Sequence, residues 1–321
     1  MKRKKVYITR RMDNKSIEFL EQYFEVEVNE LDDELERDYF LEKIKDVDGV
    51  MCIHTEKIDS QAFDVGRNVK IFANCAVGYD NIDVREANKR GVYVTNTPDV
   101  LSNATAEIAF SLLICCARCI IDADRSTRDG NFNKWSAKSF LGHEITGKTV
   151  GIIGAGRIGK VLSKRCAGFD MKILYHNRKR DKEFENKYGA KFVELDLLLK
   201  EADFISIHVP LSLDTKHLIS TREFNIMKNS AVLINTSRGP VVDEKALIVA
   251  LREKKIWGAG LDVYENEPEF DKELTKLPNV TLLPHIGSAT IETRAKMAML
   301  AAQNIKEVLF GNSPITPIKL K

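Results

Sequence analysis

The stretch "TVGIIGAGRIG" (149–159) constrains the fold more than any other part of the chain. A short apolar, β-prone run feeds directly into Gly154, Gly156 and Gly159 in a G-x-G-x-x-G, and a helix-forming sequence follows. In that order the glycines make a tight turn, let a pyrophosphate approach the backbone and seat the helix on the strand. The helix amino terminus then offers its N–H groups and dipole to the phosphates. Such a motif arises often by chance when isolated. Here the strand before it and the helix after it argue for a dinucleotide-binding unit.

The segments that follow repeat this punctuation. After "TVGIIG" come "KILYHN", "FISIHV", "AVLINT", "GAGLDV" and "VTLLPH", with helix-length segments such as "GRIGKVLSKRCAGF" and "EKALIVALREKK" between several of them. Most are near-continuous apolar runs, as a parallel sheet covered on both faces requires. The first hundred residues show the same style at smaller scale in "KKVYIT", "FEVEVN", "DGVMCI", "VKIFANC" and "GVYVTN". The expected class is α/β, with two doubly wound parallel-sheet domains. One long helix is expected from Ser102 through Arg125, and a second from Thr290 to a stop at Gly311. We read the second as returning to the first domain, so residues 1–100 and 289–321 form one domain and 101–288 the dinucleotide-binding one.

Composition narrows the partners. Lys plus Arg number 49 against 47 for Asp plus Glu, which argues against a protein of the nucleic-acid backbone. No apolar run approaches the length of a membrane span, and the basic start "MKRKK" lacks the apolar stretch of a signal peptide. A cytoplasmic address is expected. The C-x-x-C within "CCARC" sits in a helical pattern without a second Cys/His pair, so the six cysteines read as small apolar side chains in a reducing compartment. No metal site is expected.

About 20 residues beyond the first glycine, a dinucleotide fold usually places an acid that holds the ribose diol. Here the strand runs out into Asn177, Arg178, Lys179 and Arg180. A carboxylate at that place repels a 2′-phosphate, whereas a guanidinium binds one through charge-assisted hydrogen bonds. The bland alternative is a solvated basic run. Its position favours NADP(H) over NAD(H), with NAD(H) still admitted.

Three later stretches each follow a strand at its carboxyl end, where open α/β sheets bind ligands. "NTSRGPVVD" carries Arg238, "LDVYENEP" carries Asp262 and Glu267, and "LLPHIGSAT" carries His285. Singly, each admits an ordinary reading as turn cap, loop acid or structural histidine. Together they are what reduction of a 2-keto acid needs: a cation for the substrate carboxylate, an acid that protonates the carbonyl oxygen, and an anion that keeps that acid protonated.

With "NCAVGYDNID" and "NTPDVLSNATAE" in the first half, these motifs resemble the D-isomer-specific 2-hydroxyacid dehydrogenase family over essentially the whole chain, and most closely its glyoxylate/hydroxypyruvate reductase branch. The resemblance implies a flavodoxin-like substrate domain and a Rossmann-like cofactor domain around a cleft, usually in a homodimer. It implies that Arg238 binds the substrate's carboxylate and keto oxygen, that His285 donates the proton, and that Glu267 hydrogen-bonds His285. It further implies that Asp262 orients the nicotinamide carboxamide, that Arg157, Ile158, Thr236, Ser237 and Gly287 contact the cofactor, and that the N–H groups of Val77 and Gly78 hold the substrate carboxylate. His54 falls where the family lines the substrate mouth. One departure is Ser139, beside Phe140, where some relatives carry a tryptophan that shapes the pocket. A roomier pocket would suit a 2-ketogluconate reductase. The rival outside enzymology is a cofactor-sensing corepressor of similar sequence. Glu267 argues against formate dehydrogenase, which pairs its histidine with glutamine.

Overall fold

The structure, a computed structural model, describes residues 3–31 and 33–319. It divides into two compact units, Met1–Leu101 with Ala289–Lys321, and Ser102–Ser288.

In the first unit, β1 (Lys5–Ile8), β2 (Glu25–Val28), β3 (Gly49–Cys52), β4 (Ile71–Asn74) and β5 (Tyr93–Thr95) form one sheet in the order β2-β1-β3-β4-β5. Every pair is parallel, and the order is that of flavodoxin-like sheets. Its central strands β3 and β4 are buried along their whole length, which is why they read as unbroken apolar runs. Tyr7, Phe40, Ile44, Val50 and Phe72 belong to its core cluster. The helix Ile291–Leu309 contacts β3, β4 and β5. It is capped by Thr290, whose hydroxyl accepts from the Thr293 N–H, and its chain leaves through Gly311 at φ 90°. Gly49 leaves room for it: a Cβ there would sit 3.4 Å from both Ile305 and Leu309.

The second unit carries β6 (Thr149–Ile153), β7 (Lys172–His176), β8 (Lys191–Phe192), β9 (Phe204–Ile207), β10 (Val232–Asn235), β11 (Gly258–Leu261) and β12 (Val280–Leu282). They form one parallel sheet in the order β12-β11-β10-β9-β6-β7-β8. The order reverses between β6 and β9, the switch point at which such sheets bind ligands.

Two expectations are corrected here. The sheet has seven strands rather than six, because the two-residue β8 is too short to leave a periodic signal. The helix expected from Ser102 to Arg125 is two helices, Ser102–Ala117 and Ile120–Arg128, bent by 68°. Cys119 breaks it by adopting a left-handed conformation at φ 52°. Among the described residues no single helix is long and apolar enough to cross a membrane. The first of the pair packs on β10 and β11, where a Cβ on Gly260 would lie 2.9 Å from Leu112. Cys116 is buried in that contact, 3.4 Å from the Thr281 hydroxyl. All six cysteines are free, and burial pushes the Cys116 thiol up to about 12. The C-x-x-C is thus packing rather than redox chemistry.

Candidate active site

The glycine turn leaves β6 with Gly154 at φ 93°, a backbone conformation that side chains rarely adopt. A Cβ on Gly159 would fall 2.7 Å from the Gly154 carbonyl oxygen, so only glycine lets helix Arg157–Ala167 approach the strand this closely. Gly156 differs: a Cβ there would meet nothing within 4 Å. Gly156 caps the helix without any side-chain hydrogen bond. Gly156 therefore offers no side-chain acceptor to the first-turn N–H groups of this helix. An uncapped helix start beside an open glycine fits a pyrophosphate.

At the end of β7, the Asn177 Oδ1 accepts from the Ala155 N–H at 2.7 Å. That bond ties the strand tip to the glycine turn and leaves the Asn177 amide as a donor. Arg178 and Lys179 are exposed. Among the described residues no hydrogen bond or ion pair engages either of them. Arg180, the last cation of this run, is engaged instead. Its guanidinium forks onto Glu185 with two 2.7 Å bonds. Glu185 also accepts from the Tyr175 hydroxyl, and Arg180 with that hydroxyl holds its carboxyl down to about 2.

After β10, the side chain of Asn235, 1% exposed, organises the turn that carries Arg238. Its Oδ1 accepts from both the Ser237 N–H (3.0 Å) and the Ser237 hydroxyl (2.9 Å), and its Nδ2 donates to the Arg238 carbonyl (2.9 Å). The Arg238 guanidinium donates to the Ser237 carbonyl at 2.9 Å. Thr236 is buried, and its hydroxyl oxygen has no partner among the described residues.

The His285–Glu267 pair is assembled by β11, β12 and the loops beyond them. His285 Nδ1 lies 2.6 Å from Glu267 Oε2, and the other Glu267 oxygen accepts from the Tyr264 N–H at 2.9 Å. A carboxylate on Nδ1 fixes the tautomer and leaves Nε2 to carry the exchangeable proton. His285 sits at φ 53°, an uncommon conformation for a non-glycine residue. Asp262, 1% exposed, braces that turn: its two oxygens accept from the N–H groups of Ile286 and Gly287, each at 2.7 Å. Burial raises the pKa of Asp262.

In the other unit, Val77 and Gly78 lie in the loop after β4. Asn96 donates to the Val77 carbonyl (2.8 Å) and Asn74 to the Gly78 carbonyl (2.9 Å). The N–H groups of Val77 and Gly78 have no acceptor among the described residues. His54 lies on the loop after β3, which Glu56 braces by accepting from the Ile53 N–H at 2.8 Å. Asn235, Asn74 and Asn96 were missed by sequence reasoning. An asparagine bonding loop carbonyls leaves no periodicity or motif, and only its place at a strand end hints at it.

A glycine turn at the switch point, a His–carboxylate pair and an arginine at neighbouring strand ends define a nucleotide-dependent oxidoreductase. Residues 110–287 match the family described as D-isomer specific 2-hydroxyacid dehydrogenase, NAD binding domain. The chain is 49% identical over 317 residues to a glyoxylate reductase of Thermococcus onnurineus, covering 98% of this chain and 94% of that one. Among solved structures it is similar to a glyoxylate reductase from Paecilomyes thermophila (TM-score 0.89, 34% identity, 99% of each chain). It is also similar to an NADPH-dependent glyoxylate/hydroxypyruvate reductase from Sinorhizobium meliloti in complex with NADP and malonate (TM-score 0.87, 33% identity, 99% of this chain and 97% of that one). The chain belongs to the D-isomer-specific 2-hydroxyacid dehydrogenase family. Within that family it falls in the glyoxylate reductase branch.

Proposed function

We propose that the protein reduces glyoxylate and hydroxypyruvate to the corresponding 2-hydroxy acids, with NADPH as the preferred reductant. The observation that carries this reading is the Glu267–His285 pair at 2.6 Å. A bound nicotinamide supplies the hydride. In this reading the His285 Nε2 gives a proton to the carbonyl oxygen as the carbon is reduced, while Glu267 stabilises the imidazolium before transfer. Arg238 holds the substrate carboxylate and polarises the keto oxygen, and the amides of Val77 and Gly78 bind the carboxylate as well. Gly154, Gly156, Arg157, Ile158 and Gly159 would hold the pyrophosphate of the cofactor, and Thr236, Ser237, Asp262 and Gly287 would hold its nicotinamide half.

The cofactor preference is supported by the strand tip. Arg178 and Lys179 are exposed and engaged by no other described residue, and Asn177 keeps its amide as a donor. A 2′-phosphate satisfies all three, and no acid is present there to hold a diol.

A homodimer in a reducing cytoplasm completes the reading. The segment from Ile120 to Leu141 exposes Phe132 (71%), Trp135 (81%) and Leu141 (65%), and its helix Ile120–Arg128 buries no residue. So much apolar surface in one segment marks an interaction site, and six free cysteines suit a reducing compartment.

A panel of 2-keto acids with NADPH, followed by loss of the reduced cofactor, tests the activity. Glyoxylate and hydroxypyruvate should give the highest kcat/KM. Turnover confined to longer polyhydroxy acids, or none at all, would contradict the reading.

A further inference from the structure

A peptide N–H is aimed by fixing its plane, because in a trans peptide it points opposite to the carbonyl of the same unit. The Val77 N–H shares a plane with the Ala76 carbonyl, and the Gly78 N–H with the Val77 carbonyl. Both carbonyls are held from one place, the two residues that follow β5. The Thr97 N–H donates to the Ala76 carbonyl at 2.9 Å, and Asn96 Nδ2 donates to the Val77 carbonyl at 2.8 Å.

Asn96 is itself anchored by the far end of the chain. Its carbonyl accepts from the Thr316 hydroxyl at 2.7 Å, and its N–H donates to the Thr316 carbonyl at 3.4 Å. Thr316 is gripped in turn by Asn304, which is 0% exposed within helix Ile291–Leu309. Asn304 Oδ1 accepts from the Thr316 N–H (3.0 Å), and its Nδ2 donates to the Thr316 hydroxyl oxygen (2.9 Å). The segment then runs antiparallel beside β5 through a Thr95–Pro317 bridge, with the Ile318 N–H donating to the Val94 carbonyl at 2.9 Å. A buried carboxamide is costly unless its bonds are made; Asn304 Nδ2 also donates to the Leu300 carbonyl of its own helix at 2.8 Å, and its remaining two bonds both go to Thr316. This chain of contacts ends on the peptide whose N–H faces away from Asn96.

We propose that Asn96 is the positioning residue for substrate carboxylate binding, and that Thr316 and Asn304 act through it, so that the carboxyl-terminal segment sets substrate affinity. This rests on the reading that the Val77 and Gly78 amides bind the carboxylate. Without the Asn96 donor the Val77 carbonyl is released. The Val77–Gly78 peptide can then rotate, turning an oxygen rather than an N–H towards the anion.

The variants Asn96→Ala and Thr316→Val test this in the full-length enzyme. Asn96→Ala should raise KM for glyoxylate roughly 10-fold or more, the scale of one hydrogen bond to a charged group. The kcat at saturation should change little, as expected for binding shared by ground and transition states. NADPH affinity by fluorescence titration should be unaltered. Thr316→Val should give a smaller rise of the same kind, and it keeps the test open if Asn96→Ala folds poorly. An unchanged KM in both folded variants overturns the proposal. Amide NMR with oxalate as the probe separates the two layers of the argument. If the Val77 and Gly78 resonances of the wild type ignore oxalate, the carboxylate reading fails and the proposal with it. If they respond equally in wild type and Asn96→Ala, that reading stands and Asn96 loses its role. The expected result is a response in the wild type that is weakened in the variant.

Discussion

His285 is held by two carboxylates with different tasks. Glu267 bonds the imidazole itself, and Asp262 bonds the backbone just beyond it, fixing the turn without touching the ring. The division follows from burial: Asp262 is enclosed and spends both oxygens on N–H groups, while Glu267 keeps one oxygen for the ring. If His285 is the proton donor, His285→Ala should lower kcat for glyoxylate reduction by about 10²–10⁴. Glu267→Gln keeps the side chain's size but replaces the carboxylate that bonds the imidazole at Nδ1, so the variant should lower kcat for glyoxylate reduction, by less than His285→Ala does. An unchanged kcat in Glu267→Gln would take Glu267 out of this role.

At the scale of elements, the crevice between β6 and β9 is built from backbone contacts. The His208 N–H donates to the Ile153 carbonyl at 2.8 Å, and Gly154 lies so close that a Cβ there would be 2.9 Å from the His208 carbonyl carbon. The His208 ring is bonded to the Ser206 hydroxyl at 2.9 Å, and burial pulls its pKa down to about 4. A histidine in water titrates near about 6.5, so between these values the unfolded chain binds a proton that the folded chain refuses. Stability should therefore fall as pH drops from about 6.5 towards 4. Urea unfolding across that window should show a shallower loss in His208→Gln, and an identical slope would remove His208 as its source. The elements themselves were largely legible beforehand. The apolar runs of β3, β4, β9 and β10 and the cap at Thr290 announce themselves through period and punctuation. The break at Cys119 did not, because a left-handed cysteine amid good helix formers is imposed by tertiary packing. Nor did the fork from Arg180 to Glu185, since a basic run does not reveal which cation has a partner. Of the proposed site, the Arg, Glu and His were legible as chemistry at strand ends, whereas the asparagines that shape their loops were not.

For the whole molecule, the exposed apolar segment from Ile120 to Leu141 predicts association of two copies. Sedimentation of the wild type should give a dimer, and the double variant Phe132→Asp, Trp135→Asp should shift it to monomer without unfolding either unit. A monomeric wild type would contradict this. The central claim, NADPH-dependent reduction of a small 2-keto acid, is tested most directly at the tip of β7. A hydrogen bond to a charged group contributes about 1.5–3 kcal/mol, or roughly 10- to 150-fold in binding. The measurement is kcat/KM for glyoxylate with NADPH and with NADH, in wild type and Arg178→Ala, at one ionic strength because salt screens these charges. The account predicts that the wild type favours NADPH and that Arg178→Ala loses about that factor with NADPH while NADH is little changed. A wild type that favours NADH, or an Arg178→Ala enzyme that treats both cofactors as the wild type does, would contradict it.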